Sequence, residues 1–121
     1  MTPTSATAAP AADARGFEPD APIRCRDFRI GAIGAGFIMA DVQLAAYREA
    51  GFPVVAIASR TRSKAADVAE RWNIPTVHDT PEALIRDPQV QIVDIAFPPD
   101  RQPELIRLAL AQPHVKAVLC L

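Results

Sequence analysis

The sequence predicts an α/β fold, a doubly wound parallel sheet of five strands with helices on both faces. Short apolar runs alternate with stretches of helical periodicity from Asp27 onward, which is the pattern of parallel strands connected by helices. The apolar runs are continuous, as is typical of strands buried on both faces. Because crossovers between parallel strands are right-handed, few other topologies remain.

The boundaries of the elements follow from turn and capping residues. Gly51 is placed to stop the first helix, and the helices at 62–72 and 81–85 each follow a threonine that can act as N-cap. Ile38, Val42 and Ala45 are predicted to form the buried face of the first helix. The predicted elements are, in order, strand 28–33, helix 37–50, strand 54–58, helix 62–72, strand 75–78, helix 81–85, strand 92–97, helix 103–111 and strand 115–121.

Composition bounds the function of this 121-residue chain, a length typical of one domain. Thirteen basic and 14 acidic residues give a net charge of −1, so a nucleic-acid partner is not expected. No uncharged run reaches the ~20 residues that span a bilayer, so no membrane partner is expected either. Cys25 and Cys120 form no CxxC pair, which suits a reducing cytoplasm. His78 and His114 lack acidic or cysteine partners at ligand spacing, so they are expected to be structural or exposed, and no metal site is predicted.

The first residues differ in composition from the rest of the chain. Residues 1–24 are rich in alanine and proline, and such a stretch buries too little apolar surface to offset its ordering entropy. We expect a disordered tail at 1–24 and a folded domain at 25–121. A secretory signal is excluded because there is no apolar h-region or basic n-region. A transit peptide is the alternative, and Asp13, Glu18 and Asp20 argue against it.

A glycine motif follows the first predicted strand and opens the first predicted helix. The first glycine permits a tight turn, and the second lets the backbone approach a pyrophosphate without a Cβ in the way. Free N–H groups and the helix dipole would hold the negative charge. The third glycine of the dinucleotide fingerprint is replaced by Met39, and a glycine-rich turn without a ligand is the alternative interpretation. The predicted pyrophosphate contacts are Gly34, Ala35, Gly36, Phe37 and Ile38, in a Rossmann-like domain.

The residues after the second strand bear on the choice of dinucleotide. An NAD enzyme usually has an acidic residue there that binds the ribose hydroxyls, whereas this chain has Ser59, Arg60 and Arg62. Arginine presents a planar fork of donors that suits a 2′-phosphate. The sequence therefore favours NADP, with NAD possible, and predicts Ser59 and Arg60 as contacts. The alternative is that the arginines are ordinary solvated charges.

Four segments together resemble the N-terminal domain of the Gfo/Idh/MocA oxidoreductases. They are IGAIGAGFIMADVQLAAY, VVAIASRTRSKAADVAERWNIP, DPQVQIVDIAFPP and LALAQPHVKAVLCL. The resemblance implies that Phe97 and Pro98 lie beside the nicotinamide. It also implies hydride transfer between NADP(H) and a sugar, polyol or similar small hydroxy compound, and a homo-oligomer in the full-length enzyme. Gln102 stands where the family commonly has a histidine.

The resemblance also implies that part of the catalytic machinery is not in this sequence. The family's catalytic lysine and its C-terminal substrate domain would follow Leu121, so the domain at 25–121 is expected to be truncated. No catalytic residue is predicted, and the chain alone is expected to be inactive. A non-catalytic nucleotide-sensing or regulatory module of the same fold is the alternative.

Other chemically capable residues are expected to be structural. Asp94 lies in the middle of an apolar strand and is expected to be hydrogen-bonded inside the protein. Cys120 is predicted to be a buried, inert thiol. Tyr47 and Trp72 fit packing between helices and sheet.

Overall fold

Five parallel strands form one sheet at the centre of the structure. They are β1 (Ile30–Ile33), β2 (Val54–Ala58), β3 (Thr76–Val77), β4 (Ile92–Ile95) and β5 (Ala117–Cys120), in the order β3-β2-β1-β4-β5. The computed structural model describes residues 26–120, so the tail predicted at 1–24 lies outside the described residues. The strand order confirms the doubly wound, Rossmann-like fold.

Helices cover both faces of this sheet. A π-helical segment, Ile38–Gln43, runs directly into α1 (Leu44–Ala50), and α2 (Arg62–Trp72), α3 (Pro81–Arg86) and α4 (Gln102–Leu110) follow. The core on one face contains residues of α1 and α2 packed on Ala32 and Ile57. The core on the other face contains residues of α3 and α4 packed on Ile33 and Ile95. Every predicted strand and helix is present, with ends that shift by up to two residues.

At two of three helix ends, the predicted capping or stop residue makes the expected contact or adopts the expected conformation. Gly51 adopts a left-handed conformation, with φ of 85°, after α1, and the Thr80 hydroxyl accepts from the Ala83 N–H at 3.1 Å. Thr61 occupies the N-cap position of α2 with extended backbone, but its side chain makes no capping bond. Instead, Ser59 Oγ accepts from the Thr61 N–H at 3.2 Å and so orders the turn into α2.

Of the three residues predicted on the buried face of the first helix, Ala45 is half-buried, and the prediction is wrong for the other two. Ile38 and Val42 are 46% and 44% exposed, and the buried residues are Met39, Ala40 and Leu44. The Leu44 N–H bonds to the Met39 carbonyl five residues earlier, so this turn contains more residues than an α-helical one. A prediction based on a period of 3.6 residues therefore assigns the wrong side chains to the core.

Asp94 connects β4 to the first helix. It is fully buried, and its Oδ2 accepts hydrogen bonds from the Tyr47 hydroxyl and from Gln43 Nε2, the latter at 2.8 Å. This confirms the expected hydrogen-bonded role. Burial raises the pKa of Tyr47 above its ordinary value, and the hydrogen bond to Asp94 and the charge of its carboxylate raise it further.

The remaining polar predictions have mixed outcomes. His78 Nε2 lies 2.9 Å from Asp87 Oδ2, and His114 Nε2 lies 2.8 Å from the Ile85 carbonyl, so both histidines hold elements together. Cys120 is exposed, and the prediction of a buried thiol is wrong. The reason is that β5 pairs only with β4 among the described strands, and most of its side chains stay exposed.

The Tyr47 phenol provides a test of the buried carboxylate, because it is the only tyrosine in the chain. Since its pKa is raised in the folded protein, the protonated phenol stabilises the fold fully below pH ~10, and this contribution is lost as the pH rises above that value. We expect phenolate absorbance to appear only together with the loss of helical circular dichroism. Asp94→Asn should lower the pH at which half of the phenolate absorbance has appeared. A midpoint of about 10 for the folded wild-type chain would show that Asp94 and burial do not raise the pKa of Tyr47.

Candidate functional site

A cleft of about 200 Å³ lies at the carboxyl ends of β1, β2 and β4. In open α/β sheets this edge is where ligands bind. The lining residues are Gly34, Ala35, Gly36, Ser59, Arg60, Thr61, Lys64, Ala96, Phe97 and Pro98. Seven of the nine residues predicted from the sequence are therefore brought together around one space. Phe37 and Ile38 lie outside the lining, with largely exposed side chains at the start of the first helix.

The turn after β1 has no room for a side chain at its first glycine. Gly34 has φ of 120°, and a Cβ there would lie 2.6 Å from the Ala96 carbonyl oxygen. The Gly34 N–H donates to the Ala58 carbonyl at 2.8 Å, and the Ala96 N–H donates to the Ile33 carbonyl at 2.9 Å. Backbone hydrogen bonds thus connect this region to strands on both sides.

The second glycine has the opposite surroundings. A Cβ added to Gly36 would meet no atom within 4 Å, so its backbone faces the open cleft. In the first turn that follows, the Ala40 N–H donates to the Gly36 carbonyl at 2.8 Å, whereas the N–H groups before it have no carbonyl one turn earlier within the helix. Bare backbone beside free N–H groups at the positive end of a helix dipole fits a pyrophosphate.

The turn after β2 presents two cations to the cleft, the predicted contact Arg60 and also Lys64. Arg60 lines the cleft, but the Arg62 guanidinium forms an ion pair with Asp79 and does not line it. Arg62 therefore lies outside the lining, because a residue 17 positions later pairs with it. Lys64 also lines the cleft. Its spacing from the N-cap Thr61, three residues, places the two on one side of the first turn of α2 and could have indicated it.

Within the described part of the chain, no carboxylate balances Arg60 and Lys64. The first turn of α2 contains no acidic residue, and among residues 26–120 neither Arg60 nor Lys64 forms a salt bridge. Cations near a helix N-terminus oppose the helix dipole. The positive potential of this corner therefore suits an anion of high charge, such as a phosphate monoester.

The Ser59 hydroxyl serves the backbone of this turn. Besides accepting from the Thr61 N–H, Ser59 Oγ donates to the Thr61 carbonyl at 2.6 Å. Its proton is therefore used within the turn in this arrangement, and Ser59 shapes the corner in which Arg60 and Lys64 stand.

The side of the cleft after β4 is apolar and uncharged. Phe97 is nearly buried, and Pro98 continues the wall. Gln102 Nε2 donates to the Phe97 carbonyl at 2.7 Å, and the Cys120 thiol donates to Gln102 Oε1 at 3.2 Å. Gln102 thus connects the carboxyl ends of β4 and β5.

A larger cavity, of about 410 Å³, lies at the opposite end of β2, between the C-terminal ends of α1 and α2. Its arginine, Arg48, stacks on the Trp72 ring at 4.9 Å and donates to the Trp72 carbonyl at 3.2 Å. That guanidinium already caps α2, and the cavity lies away from the carboxyl ends of the strands. We therefore take the smaller cleft as the candidate site.

Between residues 26 and 120 there is neither a candidate metal site nor a membrane-spanning helix. No three His, Cys, Asp or Glu side chains in that range form a group that could hold a metal ion. None of the helices described is long and apolar enough to cross a membrane.

The strand order, the glycine turn and the cleft together define a dinucleotide-binding domain. The model of the GFO_IDH_MocA oxidoreductase family, described as an NAD-binding Rossmann fold, matches residues 28–120. The chain belongs to this family.

Individual relatives cover the same part of the chain. It is 34% identical over 94 residues to trans-1,2-dihydrobenzene-1,2-diol dehydrogenase of Mus musculus, which is 76% of this chain and 28% of that protein. A 3-ketoreductase from Actinomadura kijaniata, crystallised as a lysine-to-alanine mutant with TDP-benzene and NADP, superposes with a TM-score of 0.67 at 33% identity, covering 78% and 29% of the two chains. Levoglucosan dehydrogenase in complex with NADH and levoglucosan superposes with a TM-score of 0.64 at 27% identity, and the match covers 78% of this chain and 27% of that one.

The two glycines of the turn form a matched pair of test sites. Gly34→Ala should lower the free energy of unfolding by about 1–3 kcal/mol or more, because it combines an unfavourable φ with a backbone clash. Gly36→Ala should leave the melting temperature nearly unchanged but weaken dinucleotide binding by about 10- to 100-fold, the equivalent of one lost charge-assisted hydrogen bond. Calorimetric titration and thermal melts measure both. Unchanged binding by Gly36→Ala would show that no pyrophosphate approaches this backbone.

Proposed function

We propose that this chain binds NADP in the cleft after β1 and supplies the coenzyme-binding part of an oxidoreductase. The observation that carries the proposal is the pair of unbalanced cations, Arg60 and Lys64, at the N-terminus of α2. A 2′-phosphate placed there would gain charge-assisted hydrogen bonds from the arginine fork and the lysine ammonium. The first turn of α2 contains no acidic residue. It therefore lacks the carboxylate that usually binds the ribose hydroxyls in NAD enzymes.

The comparisons support a nicotinamide dinucleotide but are divided on which one. The 3-ketoreductase was crystallised with NADP and the levoglucosan dehydrogenase with NADH. The preference of this chain therefore has to come from its own residues after β2. Ser59, Arg60 and Lys64 are the residues we assign to it, with Ser59 shaping the turn.

We further propose that the complete enzyme moves hydride between NADP(H) and a carbon bearing a hydroxyl group. The relatives are named for a diol, for levoglucosan and for a 3-keto group, so a sugar, polyol or similar small hydroxy compound is the proposed substrate class. The chain spans about 28% of the length of its curated relatives, and the substrate pocket would be formed with the remaining part. A cytoplasmic location fits cysteines without a disulfide pattern.

A non-catalytic, nucleotide-sensing module is the second candidate. It is favoured by Gln102, which binds the Phe97 carbonyl and has no titratable proton. Phe97 and Pro98 likewise offer no group for proton transfer on the nicotinamide side of the cleft. This candidate would be supported if the complete protein bound NADP tightly and showed no turnover.

The coenzyme preference is tested by calorimetric titration with NADPH and NADH. We expect NADPH to bind about 10- to 100-fold more tightly, the equivalent of roughly 1.5–3 kcal/mol from hydrogen bonds to a charged group. Arg60→Ala and Lys64→Ala should each reduce this ratio. Arg62→Ala is the matched control, because Arg62 pairs with Asp79 away from the cleft. Equal affinities in the wild type, or tighter binding of NADH, would exclude the assignment of these residues to a 2′-phosphate.

Turnover is tested separately from binding. Hydride transfer to or from a hydroxyl-bearing carbon needs a proton-transferring group within about 2.6–3.2 Å of the reacting oxygen. Because Phe97, Pro98 and Gln102 provide none, residues 1–121 should bind NADPH and show no change in nicotinamide absorbance with a panel of sugars, polyols and diols. Steady turnover by the purified chain would reveal a catalytic group that this assignment lacks.

A further inference from the structure

The Arg60 side chain lies across the cleft. Arg60 follows β2, Phe97 follows β4, and β1 lies between these strands. Neighbouring strands are about 4.8 Å apart, so the two strand ends are separated by roughly 10 Å. The Arg60 Cζ is nevertheless only 5.7 Å from the centre of the Phe97 ring. The two side chains therefore meet beyond the end of β1, in the cleft that both of them line.

Arg60 is held there by a weak contact. No carboxylate between residues 26 and 120 pairs with it, and a cation over an aromatic ring at an exposed site contributes little. Arg101 also lies near the Phe97 ring, at 5.9 Å, but it is bound to Glu82 at 2.9 Å and to Glu104 at 2.6 Å. Of the two arginines at this ring, Arg60 is the one that a ligand can displace.

The position of Arg60 makes displacement necessary. Arg60 is part of the lining of the cleft, and its contact with Phe97 spans the gap between the ends of β2 and β4. A dinucleotide that occupies this space therefore has to move the guanidinium away from Phe97.

We propose that Arg60 sets coenzyme specificity by occupying the cleft, so that every dinucleotide must displace it and only a 2′-phosphate compensates for the displacement. This inference rests on the proposed NADP function and deepens it. NAD breaks the contact between Arg60 and Phe97 and offers no charged group in return, whereas NADP replaces the contact with an ion pair. Discrimination then includes a penalty against NAD in addition to attraction for NADP.

The proposal predicts effects of opposite sign from one substitution. In Arg60→Ala, affinity for NADPH should fall, while affinity for NADH should rise about two- to five-fold, the equivalent of about 0.5–1 kcal/mol for an exposed cation–π contact. Arg62→Ala should change neither value. If Arg60→Ala weakens NADPH and leaves NADH unchanged, displacement is overturned while the NADP assignment stands. If wild-type affinities are equal, the NADP function itself fails.

A double-mutant cycle locates the contact. Phe97→Leu removes the ring, which is also a proposed nicotinamide contact, so the quantity that counts is the difference between backgrounds. The change in NADH affinity should be more favourable in the wild-type background than in the Arg60→Ala background. Equal effects in both backgrounds would overturn the proposal. Nuclear magnetic resonance gives a second readout that needs no Phe97 variant. The Arg60 side-chain protons should carry a ring-current shift that disappears when NADPH is added, and a wild-type spectrum without that shift would also overturn it.

Discussion

The close approach between the turn after β1 and the backbone of β4 governs the site. A Cβ at Gly34 would lie 2.6 Å from the Ala96 carbonyl oxygen, so the chain passes there only without a side chain. Hydrogen bonds from this region to Ala58 and from Ala96 to Ile33 then place the ends of β2 and β4 on either side of the turn. Ser59 and Phe97 line one cleft for this reason, although they are 38 positions apart in the sequence.

The helix behind that turn is held by polar groups inside the protein. Asp94 accepts hydrogen bonds from Gln43 and Tyr47 of the first helix. Trp72 Nε1 donates to the Ala40 carbonyl at 2.8 Å. Asp94 Oδ1 is buried without a hydrogen-bond partner among the described atoms, which costs free energy. Directional bonds of this kind fix the helix against β4 and α2 more specifically than apolar contact does. The π-helical segment lies at the end of the helix that faces the cleft, a common place for such segments.

Local signals predicted the elements, and long-range contacts explain the errors. The continuous apolar run at β2 and the threonines before α2 and α3 predict those elements well, because strand burial and N-cap position are encoded nearby. The glycine pair was found from its place between strand and helix. The exposure of Ile38 and Val42 depends on the π-helical hydrogen bond, and the position of Arg62 outside the cleft depends on its ion pair with Asp79. Cys120 is exposed because of its place in the sheet, and single-residue hydrophobicity does not report that place.

The charged residues that line the cleft all follow β2, so coenzyme choice and chemistry are assigned to different strand ends. Arg60 and Lys64 stand after β2, whereas the wall after β4 consists of Ala96, Phe97 and Pro98. The first group can recognise a phosphate through electrostatics, and the second can support a flat ring by contact. In the proposed function, recognition of the adenosine end depends on the first group, and proton transfer at the nicotinamide end needs a group that this wall does not contain. Arg60 links the two sides because its guanidinium reaches the Phe97 ring. If Arg60 is displaced as we propose, a phosphate bound on one side uncovers the apolar surface on the other.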